Sequence, residues 1–131
     1  MARNVSASTG RTDLDPNLKG RTYAIPFEDV WQGSLRLARG ALRGWSVHHA
    51  NDREGILVVH VKSLWQRLHG IVEIRIGLDA NAQTRVDANS ATPSAWHDFG
   101  ANTRRLRKFF RALDREAARE RDRRRGATVA R

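Results

Sequence analysis

Ile71-Val72-Glu73-Ile74-Arg75-Ile76-Gly77-Leu78, then Asp79-Ala80-Asn81-Ala82, then Gln83-Thr84-Arg85-Val86-Asp87-Ala88-Asn89-Ser90, is the stretch that decides the fold. Val72, Ile74, Ile76 and Leu78 alternate with Glu73, Arg75 and Gly77, the period of two that sends successive side chains to opposite faces of a strand. The short polar residues at 79–82 favour reversal, because their side chains can hydrogen-bond the backbone of a turn. Thr84, Val86 and Ala88 then alternate with Arg85, Asp87 and Asn89. The reading is two half-buried antiparallel strands whose polar faces adjoin, with Glu73, Arg75, Arg85 and Asp87 pairing across them.

Working outward, the stretch from Trp45 to Ala50, the polar turn at 51–55 and the run from Ile56 to Ser63 form a hairpin. Its second strand is apolar on both faces, Ile56/Val58/His60 and Leu57/Val59/Val61, as expected of a central strand. Before it, Pro26 suits the first turn of a helix, and Glu28 and Asp29 complement the positive helix end. Phe27, Val30, Trp31, Ser34 and Leu37 recur at three- and four-residue spacing, which predicts a helix over about residues 26–43, stopped by Gly40 and Gly44. Gly33 marks close approach by a neighbouring element. Residues 1–22 lack apolar periodicity and read as a flexible lead-in. After Pro93 and Ser94, a final helix is expected from about Asp98 to between Leu113 and Arg124, with Leu106, Phe109, Phe110 and Leu113 as its stripe.

The expected fold is α+β: a four-stranded antiparallel meander with an N-terminal and a C-terminal helix on one face. The domain spans residues 23–115, and 116–131 is a basic helical extension or tail. A chain of 131 residues holds one domain and one real core. It has no cysteine, which excludes disulfide scaffolds, thiol nucleophiles and iron–sulfur clusters. The longest apolar run, about Ile56 to Val59, falls far short of the roughly 20 residues that span a bilayer. Nor do residues 1–10 carry a signal-peptide core, so a cytoplasmic location is expected.

The charge is unevenly placed. The chain carries 24 basic and 14 acidic side chains, and residues 103–131 alone hold 12 basic and 4 acidic. A nearly neutral body therefore bears a cationic end. Within that end, Glu116 with Arg119 and Glu120 with Arg123 have the spacing of intrahelical pairs.

Few residues point to chemistry. His48 and His49 adjoin on a strand and are expected on opposite faces, and His60, His69 and His97 lack ligand spacing, so neither metal nor cofactor is expected. His97 beside Asp98 is half of an acid–base pair, but no nucleophile accompanies it. Trp31 and Trp45 belong to the core by their positions, whereas Trp65 and Trp96 lie where a ligand or partner could stack on them.

Four features bear a resemblance to the domain of unknown function 1499 family over about residues 22–115. They are Tyr23-Ala24-Ile25-Pro26, Gly44-Trp45, Glu73-Ile74-Arg75-Ile76, and Asp98-x-Gly100-x-Asn102-x-x-Arg105-Leu106. The resemblance implies a small α+β domain without an established reaction. The chain departs from the family pattern at Gly70 and Ile71, where an acidic pair is usual, and at Asn89-Ser90-Ala91-Thr92-Pro93, where an arginine- and serine-rich run is usual. Ala95 and His97 stand where a Gly and a small hydroxyl residue are usual. Arg75, Asp98, Asn102 and Arg105 are the matching polar residues that remain.

Three functional readings follow. The first is a non-catalytic domain that binds a partner protein or small ligand at the sheet end through Trp65, Arg75, Trp96, Asp98, Asn102 and Arg105. The second is an accessory module docking on nucleic acid or an anionic membrane surface through Arg104, Arg107, Lys108, Arg111, Arg121, Arg123, Arg124 and Arg125. An enzyme using His97 and Asp98 comes third.

Overall fold

The computed structural model describes residues 5–8, 20–62, 69–92 and 99–129. In chain order these form β1 (Val5–Ser8), β2 (Arg21–Tyr23), α1 (Phe27–Arg36), β3 (Trp45–Asn51), β4 (Ile56–Lys62), β5 (His69–Leu78), β6 (Thr84–Thr92) and α2 (Phe99–Val129). All strand pairings are antiparallel, in the order β1-β6-β5-β4-β3, and β2 pairs the other end of β6. The stretch that decided the reading folds as expected: β5 and β6 are in register from Ile71 opposite Ala91 to Leu78 opposite Thr84.

Alternation places Leu57, Val59, Val61, Val72, Ile74, Ile76, Val86 and Ala88 on one buried face. Both helices cover that face. From α2 come Leu106, Phe109, Phe110 and Leu113, and from α1 Val30, Trp31 and Leu35, all buried. Trp45 stacks on Phe109 with ring centroids 5.7 Å apart, and Phe110 meets Phe109 edge-on at 5.4 Å. Each such side chain, fully withdrawn from water, contributes roughly 1.5–3 kcal/mol. The close approach expected at Gly33 is present: a Cβ there would rest 3.8 Å from Leu113 and from Glu116 on α2.

Four expectations change. The meander of four strands becomes a path of five, because the lead-in contributes β1 and β2 to the sheet. Both join β6 through backbone pairing, which needs no apolar alternation and so leaves no periodic signal. The first helix ends as α-helix at Arg36 and continues as a π-helical turn, Leu37–Ala41, where Gly40 takes φ 150°. The last helix runs to Val129, beyond the end expected between Leu113 and Arg124. The charges on β5 and β6 pair along each strand, Arg75 with Glu73 at 2.8 Å and Arg85 with Asp87 at 3.0 Å, where pairing across the strands was expected.

The register of β3 also shifts. Val47 stands opposite Val59 and His49 opposite Val58, which leaves His48 as an inserted residue, a β-bulge. His48 and His49 are consequently both exposed, and simple alternation fails there.

Candidate functional site

The site is built on α2. Its buried stripe of Leu106, Phe109, Phe110 and Leu113 fixes the rotation of the helix against the sheet. With about 3.6 residues per turn, Arg104, Lys108, Arg111 and Arg115 then fall on the side turned away from the core, and Arg107 on the flank of the buried stripe. These five side chains line a single open recess of about 440 Å³. Arg104, Lys108, Arg111 and Arg115 are exposed and Arg107 is half-buried. From Arg104 to Arg115 the row extends about 16 Å along the helix axis. Four of these residues were expected to act together. Arg115 was not among them, although its position four residues after Arg111 was the signal that could have placed it there.

The charge environment separates this row from the rest of the helix. Among the described residues, Arg104, Lys108, Arg111 and Arg115 form no ion pair. Farther along, each turn holds carboxylates. Arg119 pairs with Glu116 at 3.9 Å, Arg123 pairs closely with Glu120, and Arg124 pairs closely with Asp29 of α1 and reaches Glu120 at 3.6 Å. The hydrogen bond from Arg123 holds the Glu120 carboxyl below its ordinary range and raises the Arg123 guanidinium in turn. Arg121 lines a different recess, with Tyr23 and Asp114. The eight arginine and lysine positions expected to act together therefore divide: Arg104, Arg107, Lys108 and Arg111 gather in the recess, while Arg121, Arg123, Arg124 and the exposed Arg125 lie outside it.

The residues expected at the sheet end fare differently. Trp65, Trp96 and Asp98 lie outside the described residues, and Asn102 is placed in α2 by its backbone. Arg75 projects from the outer face of β5, where it bonds Glu73. Arg105 lies on the opposite, helix-covered side. A Cβ on buried Gly70 would collide with its guanidinium, so the glycine makes room for the arginine. The fold thus sets Arg75 and Arg105 on opposite faces of one sheet. No group of three or more metal-binding side chains occurs among the described residues. Rings brought together without warning from the sequence are those of His48 and His60, stacked with centroids 4.4 Å apart and planes 20° from parallel.

Where α2 passes the N-terminal segment, Tyr23 donates a hydrogen bond to Asp114 Oδ1 at 2.6 Å, and Arg21 approaches the same carboxylate at 3.6 Å. Burial, reinforced by the bond to Asp114, pushes the Tyr23 hydroxyl well above an ordinary phenol. Arg36 bonds Glu116 at 3.0 Å, tying α1 to α2 two residues further on.

A family model described as "Protein of unknown function (DUF1499)" matches residues 3–113. Among solved structures, the chain is similar to one described as "Crystal structure of Ara h 8.0201", with a TM-score of 0.59 at 4% identity, covering 88% of this chain and 99% of that one. At that identity the likeness speaks for the fold alone. No curated protein shows a significant match.

Proposed function

The chain belongs to the DUF1499 family, for which no function is described, and on that footing we propose that it is a non-catalytic binding domain whose partner is the phosphate backbone of a nucleic acid, held along the outward face of α2. The observation that carries this reading is the single recess lined by Arg104, Arg107, Lys108, Arg111 and Arg115. Like charges three and four residues apart on a helix cost a few tenths of a kcal/mol per pair, and a bound anion removes that cost. The spacing favours a phosphodiester strand: five cations over about 16 Å give one charge per ~4 Å, close to the one phosphate per about 3.4 Å of a duplex strand. Among the described residues, the lining is made of arginine and lysine alone, as a phosphate-binding surface requires. Binding is accordingly to charge and without sequence preference.

The test is binding of a short DNA duplex across a range of salt. Five phosphate contacts predict a fall in affinity on the order of a few hundredfold between about 50 and 200 mM salt. Arg104→Glu, Lys108→Glu and Arg111→Glu combined should abolish binding, and Arg123→Ala, Arg124→Ala and Arg125→Ala combined should leave it nearly intact. The reverse pattern moves the contact to the end of the helix. Binding to phosphatidylserine vesicles but not to duplex identifies a membrane surface and sinks the nucleic-acid reading.

A further inference from the structure

We propose that His48 and His60 form a binding site for a borderline transition-metal dication of the zinc, nickel or copper class on the outer face of the sheet. The backbone supplies the first reason. The inserted residue of the β3 bulge is His48 itself, and a bulge re-aims the side chain it carries. Here the re-aimed ring lands on His60 of the neighbouring strand. The geometry supplies the second. Zinc–imidazole bonds of about 2.0–2.1 Å in tetrahedral coordination require the two ligating nitrogens to stand about 3.3 Å apart. The rings now lie stacked, with centroids 4.4 Å apart and planes 20° from parallel, and reorienting both about χ1 and χ2 turns a nitrogen of each toward a shared ion. Access is the third. His48 is exposed and His60 half-buried, so water can complete the coordination shell.

The surroundings suit a dication of modest affinity. Ser46 stands opposite His60 on one side and Ile71 on the other, and Glu73 stands opposite Val58, one outward-facing position along β4. The Glu73 carboxylate contributes negative charge to this face while bonding Arg75. Imidazole nitrogen is a favoured ligand for dications of this class. The hard, oxygen-preferring Mg²⁺ has nothing to gain from two imidazoles.

The experiment titrates the full chain with Zn²⁺ alone, and separately with Mg²⁺, following the histidine ring signals by NMR and the thermal midpoint. Zn²⁺ should shift the His48 and His60 resonances together and raise the midpoint, and Mg²⁺ should do neither. His48→Ala and His60→Ala should each weaken Zn²⁺ binding by more than about tenfold, the loss that even removal of an outer-sphere partner can cause. His49→Ala, an exposed neighbour, should retain binding. His48 and His49 are exposed and His60 is half-buried, and the midpoints without metal verify that the variants fold. Absence of a Zn²⁺ response in the unaltered chain, or a response in His48→Ala and His60→Ala as strong as that of the unaltered chain, overturns the site.

Discussion

Tyr23 is the only tyrosine in the chain, which makes its hydroxyl a direct probe of how the N-terminal segment meets α2. Its folded-state pKa is raised by burial and by the bond to Asp114. The stability linked to this raised value is fully present below the unfolded phenol's pKa of about 10, and is lost as pH rises toward the higher folded value. The tyrosinate absorbance of the native protein should therefore appear at higher pH than that of the denatured chain. Tyr23→Phe should cost about 1 kcal/mol at neutral pH and flatten the alkaline decline in the urea midpoint. A native titration coinciding with the denatured one contradicts the buried hydrogen bond. At this scale the sequence was informative where one contact type dominates. Trp31 was readable as core because it falls on the helix stripe and Trp45 because it begins a strand, and both are buried. Gly70 was not readable as a seat for Arg105, since that contact joins residues 35 positions apart and leaves no local pattern.

Among the elements, the β3–β4 hairpin shows how a turn is locked to a third strand. Gly55 adopts φ 69°, and Ile76 N–H of β5 donates to its carbonyl at 2.7 Å. A Cβ at this position would run into the Ile76 carbonyl, so Gly55→Ala combines a left-handed backbone with a backbone collision. The expected loss is about 1–3 kcal/mol in urea unfolding. A loss under about 0.5 kcal/mol, the level of an ordinary surface substitution, would contradict this account of the turn. Elements with a clean period were legible in advance: β5, β6 and the stripe of α2 all lie where alternation or helical spacing put them. The end of α2 was not, because the apolar stripe fades after Leu113 and the last turns rely on surface pairs such as Glu116–Arg119 and Glu120–Arg123. Those pairs were visible at their spacing, but exposed pairs are screened by water and set no sharp boundary. The bulge in β3 escaped for a related reason, since one inserted residue breaks alternation without supplying a substitute pattern.

At the scale of the whole molecule, the sequence predicted an α+β protein with both helices on one face of an antiparallel sheet, and that arrangement is present. It could not predict how the cationic end would divide, because the division depends on Asp29 of α1 reaching Arg124 across 95 residues. The strand order has a further consequence for how copies of this protein behave toward one another. Among the described residues, β3 is the last strand on its side of the sheet, so half of its main-chain donors and acceptors face no neighbouring strand of the described path. Such a border is a template on which a second chain can zip, and proteins blunt it with bends, charges or short length. The residue inserted at position 48 bends this border and interrupts its repeat. Deleting His48 would straighten it while keeping the alternation on either side, and light scattering should then record more concentration-dependent growth of oligomers than for the unaltered chain. The inserted histidine, on this account, also works as a guard against fibril-like self-addition.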